Sequence, residues 1–199
     1  MTMLLPLIVL FVSIVLHECA HGYVAYLYGD PTAKLSGRLT LNPLAHVDPL
    51  GSVLLPLLCV LSGTHFFIGW AKPVPVNMTY FRKPYRDMML VALAGPLTNF
   101  SIATLAAFLL HVFVYSQILH YVIFINLVLG LFNLLPIPPL DGSRILAWIL
   151  PTSGREFLHR VEPYGLLIIF LLAYFGVVST LLQTVLPFIL QFFLPEGIG

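Results

Sequence analysis

Charged side chains are scarce in this sequence. Asp, Glu, Lys and Arg make up 9% of its 199 residues, whereas a soluble domain contains roughly 25%. That is too little charge to cover the surface of a water-soluble globule, so a soluble fold is excluded. Hydrophobic residues amount to 59%. This composition is typical of a bundle of helices in a bilayer, where each spanning helix requires about 20 apolar residues.

Concentrated charge and paired cysteines are also missing. The nine Lys and Arg residues are scattered and the formal net charge is +1, so no nucleic-acid partner is expected. The two cysteines, Cys19 and Cys59, lie in apolar runs, where cysteine more often packs as a small side chain than forms a disulfide or a metal site. No internal repeat or low-complexity linker divides the chain. We therefore expect residues 1–199 to form a single membrane-embedded domain.

Long apolar runs predict about four transmembrane helices. They cover residues 4–28, 88–115, 118–135 and, near the C-terminus, 165–186. A further apolar segment at residues 50–67 is interrupted by Pro56 and Gly63, so it either re-enters or crosses the membrane. Two short segments rich in strand and turn residues, 35–42 and 70–77, predict a β-hairpin. The expected fold is a mostly α-helical membrane protein with these four helices, the hairpin and the re-entrant or additional segment.

The basic residues indicate the topology, because Lys and Arg collect in short loops on the cytoplasmic side. All nine lie in residues 29–49, 68–87 and 136–164. They share one side only if residues 50–67 dip into the membrane and return, since a full crossing would separate the first two groups. The dip is therefore favoured, with the N-terminus outside. The expected location is the cell (plasma) membrane, as a multi-pass protein.

The first apolar run contains a polar motif, His17-Glu18-Cys19-Ala20-His21. It fits H-E-x-x-H, in which two histidines four residues apart share one helix face and both reach one Zn²⁺, with the glutamate beside them. The alternative is a set of polar residues hydrogen-bonded inside a bundle, but a carboxylate there is costly and usually functional. His17 follows Leu4 by about 13 residues, which is roughly 20 Å of helix. The site is therefore expected within the membrane, nearer the cytoplasmic face.

A zinc site of this kind requires a third protein ligand. The longer pattern H-E-x-x-H-x-x-G-x-x-H is excluded, because Val24 and Leu27 occupy its Gly and His positions. Four aspartates lie between the predicted spans: Asp30, Asp48, Asp87 and Asp141. Asp141 is favoured, because it follows a membrane helix in a proline-rich turn that could direct its carboxylate inward. The alternative is that Asp141 caps the helix that follows it.

At this point the sequence resembles the site-2 proteases, which are membrane-embedded zinc metalloproteases. The resemblance rests on residues 17–21, on Gly95-Pro96-Leu97-Thr98-Asn99 and on residues 133–142, and these motifs lie within residues 4–150. It implies that His17, His21 and Asp141 bind one Zn²⁺ per chain and that Glu18 is the catalytic acid and base. It further implies that Asn133 orients the substrate or stabilises the oxyanion. No PDZ-like insertion is present, so the chain resembles a compact member.

The resemblance implies an intramembrane protease that hydrolyses peptide bonds in or near the transmembrane helices of other membrane proteins. Its partners would be those substrates and the lipid bilayer. A metal transporter could also place His and Asp in a bundle, but it would not need a glutamate adjacent to the first histidine. A protease-like protein that only binds membrane proteins would lack the catalytic residues, and they are present here.

Three further features receive open interpretations. His46 either contributes to the site from its loop, or it is simply solvated or caps a turn. Asn99 either lines the cavity or forms an interhelical hydrogen bond. Residues 70–76 would form a strand whose edge, through Lys72, Val74 and Val76, could pair with residues 38–42 or with an extended substrate.

Overall fold

The structure is a computed structural model that describes residues 4–54, 71–112 and 116–193. These residues contain eight α-helices: α1 (Leu4–Leu27), α2 (Thr32–Leu35), α3 (Pro84–Val112), α4 (Gln117–Asn133), α5 (Asp141–Ile149), α6 (Thr152–Val161), α7 (Gly165–Tyr174) and α8 (Val177–Phe193). Short 3-10 helices lie at Pro43–His46, Met78–Tyr80 and Glu162–Tyr164, and a π-helix covers Pro49–Leu54. The expectation of a mostly helical protein is confirmed.

Three helical stretches among the described residues are long and apolar enough to cross a membrane. They are Leu5–Leu27, Pro84–Val112 and Thr152–Tyr174, the last of which combines α6, a 3-10 turn and α7. Helices α4 and α8 are also apolar but have 17 residues each. The first three runs predicted from the sequence correspond to α1, α3 and α4.

The interior of the bundle forms where α3 and α4 pack against each other. Helix α3 contributes the small residues Ala103, Ala106 and Ala107, and α4 contributes Ile123 and Leu127, all of them buried. Small residues let helix backbones approach closely, which matters inside a bilayer because lipid tails are as apolar as leucine. Helix α1 packs against both α3 and α4. This arrangement brings the polar residues of three helices into one interior.

The C-terminal span predicted at residues 165–186 is wrong as a single helix. Helix α7 ends at Tyr174, and a separate helix, α8, begins at Val177. Gly176 between them has a φ of 76°, a left-handed conformation that ends helices and that glycine adopts without a Cβ penalty. An apolar run alone does not reveal such a break, because the residues on both sides of the glycine remain hydrophobic.

The predicted β-hairpin is not supported by the described residues, which contain no strand. Residues 35–42 end α2 and continue through turns, while residues 71–77 form neither helix nor strand, and Pro73 and Pro75 favour an extended backbone at the residues before them. Trp70, the first residue of the second predicted arm, lies outside the described residues. The composition that predicted a strand here therefore produced an irregular extended segment.

The physical reason is that the amides of this segment bond to the rest of the protein. The Lys72 N–H donates to the His46 carbonyl at 2.9 Å, and the Val74 N–H donates to Glu18 Oε2 at 2.7 Å. Pro73 and Pro75 have no N–H to donate. The Lys72 and Val74 amides of the edge predicted to pair with a substrate are thus already bonded within the chain.

The segment predicted to re-enter the membrane is described only at its start. The π-helix Pro49–Leu54 begins after Asp48, whose Oδ1 accepts hydrogen bonds from the Leu50 and Gly51 amides at 3.0 and 2.7 Å. Residues 55–67 lie outside the described residues. The choice between a dip and a full crossing therefore stays a prediction.

Asp30 connects the end of α1 to the extended segment. Its side chain is fully buried. One carboxylate oxygen accepts from the Thr32 amide at 2.9 Å and also from the Thr32 hydroxyl, and the other accepts from the Asn77 amide at 2.6 Å. Amides bonded to a carboxylate need that partner, because a buried donor without one is costly. Asp30 is therefore a structural anchor rather than part of a metal site.

We predict that Asp30→Ala lowers the free energy of unfolding by about 1–3 kcal/mol, because it leaves the Thr32 and Asn77 amides without acceptors. The matched control is Glu156→Ala, since the side chain of Glu156 is 61% exposed and such surface changes stay within about 0.5 kcal/mol. Apparent melting temperatures in detergent micelles provide the measurement. Equal melting temperatures for the two variants would contradict the anchoring role.

Candidate metal centre

Two histidines of α1 and one aspartate at the start of α5 bring their side-chain tips together. The Nε2 atoms of His17 and His21 are 3.0 Å apart, and Asp141 Oδ2 lies 3.2 Å from the first and 3.3 Å from the second. Both histidines are buried. Among the described residues, these three are the group of His, Cys, Asp and Glu side chains whose ligand atoms all lie within 4.8 Å of one another.

This triangle fits a zinc ion. Zinc bound tetrahedrally at about 2.0–2.1 Å places its ligand atoms roughly 3.3–3.4 Å from one another, and the observed separations of 3.0–3.3 Å are close to that. Asp141 Oδ2 is also buried without a hydrogen-bond partner, which is costly for a carboxylate oxygen unless a cation compensates it. His17, His21 and Asp141 could therefore hold one zinc ion and leave a fourth position open.

The second ring nitrogen of each histidine has a defined partner. His21 Nδ1 is 2.7 Å from the Val91 carbonyl of α3. A carbonyl only accepts, so Nδ1 carries a proton, and in the neutral ring that a metal requires the lone pair lies on Nε2, facing the triangle. His17 Nδ1 is 2.6 Å from Asn99 Oδ1. Of the two interpretations of Asn99, the structure shows the interhelical hydrogen bond, and it shows that the bond is made to a candidate ligand.

Gly95 allows α3 to pass directly beside the histidines. A Cβ atom at this position would overlap His21 Nε2 and the His17 ring. Any other residue would thus push the two imidazoles away from their present positions. Gly95 of the sequence motif therefore lies directly beside both histidines.

Glu18 follows the first histidine and contacts the extended segment. Its Oε2 accepts the Val74 N–H at 2.7 Å. The Val74 side chain is buried, and a Cβ at Gly22 of α1 would come within 2.9 Å of its Cγ1. The segment therefore packs along α1 and fixes the carboxylate of Glu18 at one oxygen.

Cys19 of α1 and His46 of the 3-10 helix Pro43–His46 share a bonding partner, the Thr40 carbonyl. His46 is fully buried, so the interpretation as a solvated loop residue is wrong. Its Nε2 is 2.9 Å from the Thr40 carbonyl, to which the Cys19 thiol also donates at 3.0 Å. The thiol bond holds Thr40 against α1, and the backbone carbonyl of His46 accepts the Lys72 amide. Cys59 lies outside the described residues.

The side chain of Asn133 makes its hydrogen bond within its own helix and not with the three ligand residues. Its Nδ2 donates to the Leu129 carbonyl at 3.0 Å, one turn earlier in α4. The sequence reasoning instead missed Asn126, which is fully buried in the same helix and bonds to Asn99 at 2.8 Å. The available signal was a polar residue in the middle of an apolar helix, which is a functional candidate by default.

Comparisons with known proteins address the family. The profile of peptidase family M50 matches residues 112–176. YwhC of Bacillus subtilis (strain 168), named as a candidate zinc metalloprotease, is 42% identical over 178 residues, which cover 83% of this chain and 78% of that protein. Two mycobacterial proteins named Rip2 have the same description. The protein of Mycolicibacterium smegmatis is 32% identical, covering 80% of this chain and 62% of its own length, and that of Mycobacterium tuberculosis H37Rv is 33% identical, covering 82% and 63%.

No solved structure matches the chain. The relation to YwhC nevertheless extends over most of both sequences, and the M50 profile includes Asp141 and the turn before it. The three long apolar helices agree with an integral membrane protein. This chain therefore belongs to peptidase family M50, the site-2 protease family of zinc metalloproteases.

Proposed function

We propose that the protein is an intramembrane endopeptidase that binds one Zn²⁺ per chain through His17, His21 and Asp141. Its substrates are membrane proteins, which it cuts in or near a transmembrane helix. The observation that carries the proposal is the triangle of ligand atoms with edges of 3.0–3.3 Å. Two of its corners belong to α1, inside the candidate span Leu5–Leu27, so the reaction would take place at membrane depth.

When bound, zinc supplies Lewis-acid chemistry, polarising a carbonyl and making water a nucleophile near neutral pH. Glu18 is the general base and acid: it takes the proton of the attacking water and transfers it to the leaving amide nitrogen. The Val74 N–H bonds to Oε2 of Glu18, so the other oxygen is the one that receives the proton. Glu18 can thereby act without losing the contact that orients it.

A substrate helix must be unwound before it can be cut, because its hydrogen bonds shield the scissile amide. The exposed polar groups of the peptide then need partners in the protein. Asn133 is our candidate, since it ends α4 and its amide would exchange the Leu129 carbonyl for the substrate. His46 supports the site indirectly: its ring bonds to the Thr40 carbonyl, and its backbone carbonyl accepts the amide of Lys72, in the segment that contacts Glu18.

We further propose that the protein lies in the cell (plasma) membrane with the site nearer the cytoplasmic face. The support is the distribution of Lys and Arg, which places every basic residue in the loops on that side if residues 50–67 dip and return. No nucleic acid is involved in this function. The lipid bilayer and the substrate helix are the partners.

We predict that Glu18→Gln keeps zinc but lowers cleavage by at least about 100-fold, because the amide preserves the shape of the side chain and cannot accept the proton. His21→Ala should lose both zinc and cleavage, because it removes a ligand. Metal analysis of the purified protein and cleavage of a single-span substrate, with and without a chelator, provide the measurement. Wild-type turnover by Glu18→Gln would remove Glu18 from the mechanism.

We predict that residues 34 and 82 react with a membrane-impermeant thiol reagent from the cytoplasmic side alone. Lys34 and Arg82 are both exposed, so single cysteines there are accessible to the reagent. The background lacks Cys19 and Cys59 and is first shown to retain cleavage. Labelling of the two positions from opposite sides would mean that residues 50–67 cross the membrane completely.

A further inference from the structure

A chain of buried polar side chains leads away from the candidate metal centre. Asn99 and Asn126 are fully buried and Ser13 is 3% exposed. His17 Nδ1 is 2.6 Å from Asn99 Oδ1, Asn99 Nδ2 donates to Asn126 Oδ1 at 2.8 Å, and Asn126 Nδ2 donates to Ser13 Oγ at 2.9 Å. This series of hydrogen bonds begins and ends on α1, at His17 and Ser13, and passes through α3 and α4. It therefore joins the helices that surround the site.

The Val122 carbonyl determines which atom donates and which accepts in the hydrogen bonds that link Asn126, Asn99 and His17. Asn126 Nδ2 also donates to the Val122 carbonyl at 2.9 Å. Because a backbone carbonyl only accepts, the NH₂ group of Asn126 must lie on that side, and its oxygen must face Asn99. That oxygen requires the NH₂ group of Asn99, so Oδ1 of Asn99 must face His17. An oxygen at this position only accepts, and His17 must carry its proton on Nδ1.

We propose that Asn126 and Asn99 are positioning residues that set the tautomer of His17. The proton on Nδ1 leaves the lone pair of Nε2 directed at the triangle of ligand atoms, where a metal can take it. The inference rests on the proposed zinc ligand set and adds to it the residues that prepare one ligand. Asn126 acts through Asn99 and touches neither the metal nor the substrate.

Loss of Asn126 would release this constraint. The amide of Asn99 could then rotate and present its NH₂ group to His17 Nδ1, which favours the tautomer with the proton on Nε2. A protonated Nε2 has no lone pair for zinc. Replacing a residue that supports a metal-bound histidine typically lowers metal affinity by about 10–100-fold. Burial makes rescue by water unfavourable, because Asn99 and Asn126 have no exposed surface.

Zinc affinity of the full-length protein in detergent tests the proposal. Asn126→Leu and Asn99→Leu should each raise the Kd for zinc, measured by chelator competition, by about 10–100-fold. The first variant frees the amide of Asn99, and the second removes the acceptor of the His17 proton. His17→Ala is the reference for loss of a ligand.

Two matched variants separate orientation from packing. Asn99→Asp keeps nearly the same shape and still presents an oxygen that accepts from His17 Nδ1, so the proton should stay on Nδ1 and zinc affinity should not fall. Ser13→Ala removes the last partner of the chain, but the Val122 carbonyl still orients Asn126. It should also bind zinc as wild type does.

The tautomer itself can be read from the ¹⁵N spectrum of histidine-labelled protein without metal. His17 should carry its proton on Nδ1 in the wild type, in Asn99→Asp and in Ser13→Ala, and shift toward Nε2 in Asn126→Leu. A purely structural role would lower the melting temperature of the leucine variants and leave the tautomer unchanged.

Wild-type affinity and an unchanged His17 tautomer in Asn126→Leu would overturn the inference. The proposed ligand set fails separately, and the inference with it, if wild-type protein binds no zinc or if His17→Ala binds zinc as tightly as wild type. These two failures are distinguishable. If only the inference about Asn126 is wrong, His17→Ala still loses zinc; if the ligand set is wrong, it does not.

Discussion

The structure depends on the convergence of three electron-rich atoms in an apolar interior. His17 Nε2, His21 Nε2 and Asp141 Oδ2 lie within 3.3 Å of one another, an arrangement that is unfavourable without a cation between them. Helix α3 comes close enough to support the histidines because it has a glycine at position 95. The turn after α4 then brings Asp141 to the same two nitrogens.

The same constraint governs the irregular backbone around the site. Buried backbone N–H and C=O groups are costly unless a hydrogen-bond partner satisfies them. Residues 71–77 meet this requirement with side chains of other elements: Glu18 accepts the Val74 amide, Asp30 accepts the Asn77 amide, and Arg38 donates to the Lys72 carbonyl. The proposed catalytic carboxylate of Glu18 thus holds the middle of this segment, and the structural carboxylate of Asp30 holds its end. This explains how an extended segment next to a helix is stable without a strand partner.

The sequence predicted those features of the site that depend on residues close to one another in the chain. The spacing of His17 and His21 determines that they share a helix face, and the proline-rich turn identified Asp141 as the candidate third ligand. It did not predict contacts between distant residues, such as the Val74 amide on Glu18 or the bond from Asn99 to Asn126, since nothing local reveals which buried polar groups will meet. The hairpin failed for the same reason: strand propensity ignored the side chains that would accept the amides of the segment. The break at Gly176 was hidden by apolar residues on both sides.

The central claim is that His17, His21 and Asp141 together bind zinc. X-ray absorption at the zinc edge of the purified wild-type protein tests it most directly, because the spectrum reports the number and kind of ligand atoms. The account predicts two imidazole nitrogens with oxygen ligands at about 2.0–2.2 Å, and a spectrum with one oxygen altered or missing in Asp141→Ala. A wild-type spectrum with sulfur ligands or with a single imidazole, or a spectrum unchanged in Asp141→Ala, would contradict it.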